Sequence, residues 1–98
     1  MTWTLATTAF FERRARKFLT KHPDLRARFI ETLEKLRADP FEPSLRLHPL
    51  GGKLQGLQVV SLTYSYRYRY RYRITLTLRI TEHQILLLDI GSHDGVYG

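Results

Sequence analysis

The stretch Tyr64 to Arg73 limits what this chain can fold into. It holds a Tyr-Ser step and then four successive Tyr-Arg dipeptides, and it runs directly into the alternating segment Ile74 to Ile80. Tyr66, Tyr68, Tyr70 and Tyr72 share the even register with Ile74, Leu76, Leu78 and Ile80. Arg67, Arg69, Arg71, Arg73, Thr75, Thr77 and Arg79 take the odd one. Strict period-two alternation of this kind is a strand signal. A strand from Tyr64 to Ile80 would extend about 55 Å at roughly 3.3 Å per residue, whereas a compact domain of this size is only about 30 Å across. Such a strand has to bend, bulge, project as a hairpin arm, or pair with a second chain along its free length. Because the repeated unit has an even number of residues, adding or removing copies leaves every other side chain on its original face. The run therefore reads as a tandem expansion inserted into a pre-existing strand.

With 98 residues, 43% of them hydrophobic, the chain reads as one domain over residues 1–98 with a modest core. No apolar run is long enough to cross a bilayer, and no basic start leads into a hydrophobic segment of the secretory kind. Cysteine is absent, which removes disulfides and thiolate metal sites and fits a reducing cytoplasm. A formal charge of +7 and a pI near 10.1 call for a polyanionic partner. Nucleic acid is the commonest, and an acidic protein serves equally.

In chain order, Trp3 and Leu5 alternate with threonines as a short strand does. A helix follows, capped by Thr7 or Thr8, with Phe11, Ala15, Phe18 and Leu19 on one side and Arg13, Arg14, Arg16 and Lys17 mostly turned outward. His22-Pro23-Asp24 opens a second helix, its proline acceptable in the first turn and its acid favoured by the helix dipole. The buried stripe there is Leu25, Phe29, Leu33 and Leu36, supplemented by Ile30, and Asp39-Pro40 ends it. Phe41 to Lys53, rich in proline and glycine, reads as a loop. Leu54 to Leu62 reads as a strand, Thr63 to Ser65 as a turn and Tyr66 to Ile80 as the long strand. Thr81-Glu82-His83 makes another turn, and Ile85 to Ile90, apolar on both faces, belongs in the middle of the sheet or under the helices. The expected class is α+β: an N-terminal strand, an antiparallel helical hairpin, then a three-stranded antiparallel sheet with one overlong strand and the hairpin on its apolar face.

Four features together resemble the RelE/ParE toxin superfamily, and within it the YafQ-like branch. They are the two N-terminal helices, the stretch LHPLGGKLQGL at Leu47 to Leu57, the Tyr-Arg-Ile step at Tyr72 to Ile74, and the ending LLLDIGSHDGVY at Leu86 to Tyr97. The resemblance covers nearly the whole chain apart from about six residues of the Tyr-Arg run. It implies a RelE-like fold and a small basic cytoplasmic toxin, neutralised by a cognate antitoxin, that cleaves mRNA on the ribosome without a metal or any other cofactor.

Metal-free RNA cleavage uses the 2′-hydroxyl as nucleophile. A base takes its proton, an acid protonates the leaving 5′-oxygen, and cations steady the charge on the phosphorane. Histidine suits the proton steps, with an unperturbed pKa of about 6.5, and arginine suits the charge. Taken alone, His93 in Gly91-Ser92-His93-Asp94 reads as a solvated loop histidine beside a capping acid. The resemblance makes it the histidine of the C-terminal motif and Tyr97 the terminal aromatic that lies against a base. It also matches His48 to the histidine preceding the Pro-Leu-x-Gly loop, as general base or acid, or as a hydrogen-bond partner of the loop backbone. Lys53 and one strand arginine would bind phosphates. Arg73 is the formal match, Arg67 competes because it follows the turn, and for most of Arg67, Arg69, Arg71 and Arg73 a solvated strand face is the simpler reading.

The chain departs from the YafQ-like pattern at Ser61 and Ser65, where that branch has a further His and Asp, and at Gly95, where an acid is common. Serine cannot run proton transfer near neutrality, so catalysis would rest on His48 and His93. Two further readings belong to other classes. One is a ParE-like gyrase inhibitor that needs no catalytic histidine. The other is a weakly active or inactive protein whose Tyr64 to Arg73 strand joins copies into a homo-oligomer.

Overall fold

The computed structural model describes residues 2–50, 56–63 and 72–92. Over these, two helices cover one face of a five-stranded mixed sheet whose order is β1-β5-β4-β3-β2. The strands are β1 (Thr4–Thr7), β2 (His48–Pro49), β3 (Gln58–Ser61), β4 (Tyr72–Arg79) and β5 (Gln84–Ser92), and the helices are α1 (Ala9–Lys21) and α2 (Arg26–Ala38).

Helix α1 begins where its sequence says it should. The Thr8 hydroxyl accepts a hydrogen bond from the Phe11 amide at 3.0 Å, satisfying one of the donors that a first turn leaves unpaired. Thr8→Ala is therefore expected to cost about 1 kcal/mol in a urea melt; an unchanged midpoint would mean the cap contributes nothing. Phe11, Ala15 and Phe18 form the buried stripe of α1, and Phe11 stacks on Phe29 of α2 with ring centroids 6.5 Å apart. Between the helices, Pro23 to Leu25 form a single 3-10 turn with the proline at its start. Helix α2 stops before Asp39, as the following proline requires. Its buried residues are Phe29, Thr32 and Leu36; Ile30 does not join the stripe and is 47% exposed. Thr32 tolerates burial because its hydroxyl donates to the Arg28 carbonyl one turn back.

The three antiparallel strands anticipated from the pattern are β3, β4 and β5, and the sheet extends beyond them on both sides. Strand β1 joins β5 in parallel, Thr4 opposite Gln84, and β2 adds a two-residue rung to β3 inside the segment expected to be loop. Strand β3 starts at Gln58, with Gly56 and Leu57 of the expected strand before it and Leu54 and Gln55 outside the described residues, and Ile80, in phase with the apolar register, lies in the turn after β4 and is 58% exposed. That turn closes with His83 at φ 51°, a left-handed conformation uncommon outside glycine but one that histidine, like asparagine and aspartate, adopts more readily than other residues. The overlong strand appears here as β4 from Tyr72 onward; Tyr64 to Arg71 lie outside the described residues.

Alternation along β4 holds as read. Ile74 and Leu76 are buried in the core with Leu78 packed against it, and Tyr72 also faces the helices. Arg73, Thr75, Thr77 and Arg79 therefore take the opposite face. Strand β5 contains one irregularity. Leu76 pairs with Leu87 but Thr75 pairs with Asp89, so Leu88 is an extra residue and the strand bulges there. As a result Ile85, Leu87 and Ile90 all point into the core, although strict alternation would have turned Ile90 away. Asp89, displaced by the bulge, receives the Arg14 Nε of α1 at 2.9 Å and the Ile90 amide at 2.7 Å. Among the described residues no helix is long and apolar enough to cross a membrane.

Candidate functional site on the helix-free face

Cross-strand partners in an antiparallel sheet carry their side chains on the same face. His48 pairs with Val59, and Val59 with Thr75. Val60 belongs to the core under the helices, so Val59, and with it His48 and Thr75, faces away from them. One step along, Ser61 pairs with Arg73 and Arg73 with Gly91 on that same face. The register thus brings together two of the residues singled out from sequence, His48 and Arg73, with Ser61 beside the arginine. His48 and Arg73 are separated by two strand spacings and one two-residue step, roughly 12 Å between Cα atoms. Between them lie Val59 and Thr75, both closed to solvent, 0% and 4% exposed. At the far end of β4, the Thr77 hydroxyl donates to the Gly56 carbonyl at 3.1 Å, fixing the chain that leads into β3.

The local backbone orients His48. Pro43 to Leu45 form a 3-10 turn ended by Arg46 in the left-handed region, φ 54° and ψ 46°. That conformation, costly for a residue with a Cβ, turns the Arg46 carbonyl back to the imidazole, and His48 Nδ1 lies 2.7 Å from it. A carbonyl oxygen only accepts, so Nδ1 carries the hydrogen and donates it. In neutral imidazole this leaves Nε2 with its lone pair, the arrangement a proton acceptor needs. His48 itself is exposed, so that nitrogen is open to a substrate. Arg73, half-buried beside Ser61, supplies a fixed positive charge. A proton acceptor and a positive charge on one face, their Cα atoms about 12 Å apart, leave room between the two side chains for a phosphodiester.

Six of the eight residues anticipated from sequence, His93, Tyr97, Lys53, Arg67, Arg69 and Arg71, lie outside the described residues. Sequence reading missed the role of Arg46. Nothing in its residue type announces a left-handed turn, although a Pro-Ser-Leu-Arg segment two residues before a histidine is the place to look. Among the described residues no group of three or more His, Asp or Glu side chains comes together as a metal ion would require.

No protein-family model matches the chain, and a search of curated proteins by sequence finds no match. Solved structures do match. The E. coli DinJ-YafQ toxin-antitoxin complex contains a chain that superposes with a TM-score of 0.74 at 12% identity, covering all of both chains. A YoeB/ParE toxin from Agrobacterium tumefaciens gives 0.72 at 12% identity, over 92% of this chain and 98% of that one. The toxin-antitoxin complex RelBE2 of Mycobacterium tuberculosis gives 0.59 at 17% identity, over 95% and 93%. Identity this low, with coverage this complete, is a likeness of architecture. In its strand order, its helix pair and its full-length superposition, the chain has the fold of the RelE/ParE toxins, of the YafQ kind.

Proposed function

We propose that this chain is the toxin of a type II toxin-antitoxin pair and cleaves mRNA on the ribosome through the RNA 2′-hydroxyl, in the cytoplasm. The observation that carries the reading is the hydrogen bond from His48 Nδ1 to the Arg46 carbonyl, 2.7 Å long, which leaves Nε2 as an exposed base on the same face as Arg73. His48 takes the 2′-hydroxyl proton, and the oxygen attacks the adjacent phosphorus. Arg73 balances the charge that develops on the phosphorane oxygens. The 5′-oxygen leaves with a proton supplied by His93, the residue that follows Ser92 in the chain, and Tyr97 stacks on a neighbouring base. Lys53 and the repeat arginines Arg67, Arg69 and Arg71 contact phosphates. The products are a 2′,3′-cyclic phosphate and a 5′-hydroxyl. The likeness to YafQ in complex with DinJ and to a chain of RelBE2 supports a cognate antitoxin as partner, and the +7 charge suits one of acidic character.

Purified protein added to translating ribosomes should cut mRNA and leave those two ends, and Arg73→Ala should slow cutting by about 10²-fold or more, the usual loss when one stabilising donor is removed from a charged transition state. Intact mRNA in the presence of the unaltered protein would overturn the assignment. Full activity in Arg73→Ala would pass the role to another arginine of the repeat.

A further inference from the structure

On the helix side of the sheet, where β4 begins and β5 ends, the surface opens into a recess of about 200 Å³ between α1 and the two strand ends. Its chemistry is cationic and aromatic. Arg14, Lys17 and Lys21 approach along one side of α1, spaced i, i+3 and i+7 so that they share a face. Asp89 is held by Arg14 at 2.9 Å. Among the described residues Lys17 and Lys21 have no carboxylate partner; the only other ion pair joins Lys35 and Glu31 on α2. Beside them lies a cluster of three rings, two from the C-terminal end of α1 and one from β4. His22 lies 4.8 Å from Phe18 and 4.9 Å from Tyr72 between centroids, and Phe18 meets Tyr72 edge-on at 5.0 Å. His22 and Tyr72 are each half-buried and keep part of their surface toward the recess.

Two exposed ammonium groups with no counter-ion among the described residues, next to partly open aromatic faces, match a ligand with an anionic group and a flat ring joined by a short linker. We propose that this recess binds a nucleotide, its phosphate held by Lys17 and Lys21 and its base lying against His22 and Tyr72. The combination is that of single-strand nucleic-acid grooves, where cations follow the backbone and rings take the bases. A purely acidic peptide would use the lysines but leave the rings idle. The recess is on the face opposite His48 and Arg73, and the Tyr72-Arg73 step links the two, its tyrosine turned toward one and its arginine toward the other. A strand of RNA folded over this end of the sheet would meet both. The assignment rests on the RNA reading above only in naming RNA as the nucleotide's source.

The test is a titration followed by backbone amide NMR, using AMP, a trinucleotide with 5′- and 3′-hydroxyl ends, inorganic phosphate and a glutamate-rich peptide as separate probes. Saturating shifts at Lys21, His22, Tyr72, Gly91 and Ser92 are expected with AMP or with the trinucleotide. Response to AMP indicates a terminal or free nucleotide, and response to the trinucleotide alone indicates an internal segment of an RNA strand. Neutralising both lysines, Lys17→Gln with Lys21→Gln at two exposed positions of α1, should weaken that binding by about tenfold at low salt with the rest of the spectrum unchanged. Three results would overturn the proposal: shifts with inorganic phosphate equal to those with AMP, shifts with the peptide alone, or full nucleotide affinity in the double variant. If mRNA stays intact while AMP still shifts these amides, the cleavage reading fails and the recess assignment stands. If mRNA is cut but neither AMP nor the trinucleotide moves them, the recess assignment fails alone.

Discussion

Replacing His48 by alanine is expected to lower the rate of mRNA cleavage by about 10²- to 10⁴-fold, the range for loss of a positioned general base, with stability changed by no more than about 0.5 kcal/mol. The small stability effect follows from exposure: the imidazole sits at a two-residue edge strand and its hydrogen bond is to the Arg46 carbonyl, which water reaches once the ring is gone. His48→Asn separates orientation from chemistry. Its amide can donate to a carbonyl but has no nitrogen that titrates near neutrality, so it should be as slow as alanine. The two variants would be compared with the unaltered chain by quenched cleavage of a ribosome-bound message and by thermal melting. Cleavage in His48→Asn at the unaltered rate would mean the ring only braces the turn, and the base would have to be sought elsewhere.

The largest expected effect on stability comes from Phe11→Ala, about 3–5 kcal/mol for deleting a buried phenyl ring. Phe11 is 3% exposed, stacks on Phe29 of α2, and stands on the helix that packs on β5. Its loss opens a cavity where both helices and the sheet meet. A small domain typically has only about 5–15 kcal/mol in hand, so the variant should melt at a much lower urea concentration with an unchanged slope. A loss below about 1 kcal/mol would show that the ring has no packed surroundings to lose. A sharply reduced slope would mean that the helix pair had come off the sheet before the rest unfolded.

The residues that announced their positions did so through period. Phe11, Ala15 and Phe18 marked the inner face of α1, and the even register of β4 marked the face under the helices. Both signals are local, since they depend only on which side of an element is apolar. What escaped depends on contacts between distant segments. The parallel pairing of β1 with β5 joins Leu5 to Ile85, and nothing in four residues of alternating Thr, Leu and Ala names their neighbour. Strand β2 is a single rung in a proline-containing segment, held by its pairing with Val59 and Gln58 and not by any propensity of His48 or Pro49. Ile30 follows the helical spacing of its neighbours but falls at the margin of the stripe, and Ile80 follows the strand period past the point where the strand has ended. For the site, the resemblance to the YafQ-like branch singled out His48 and Arg73, while the register that puts them on one face, and the left-handed turn at Arg46 that sets the imidazole, emerge only from the folded backbone.

The extra residue in β5 divides that strand into two halves of opposite phase. From Gln84 to Leu87 it is clamped on both sides, by β1 and by β4, and the Leu87 carbonyl receives the Thr8 hydroxyl at 3.4 Å just where β1 gives way to α1. From Asp89 to Ser92 it is paired with β4, and its orientation is set by Leu88 and not by the turn at residues 80–83. Deleting Leu88 would restore strict alternation: Leu87 and Ile90 would then stand two residues apart, so Ile90 would keep its place in the core and only the bulge would be lost. The bulge acts as a joint at which the inward register passes from odd to even residue numbers, so a foreign terminus spliced on after residue 88 has to place its apolar residues in phase with Ile90.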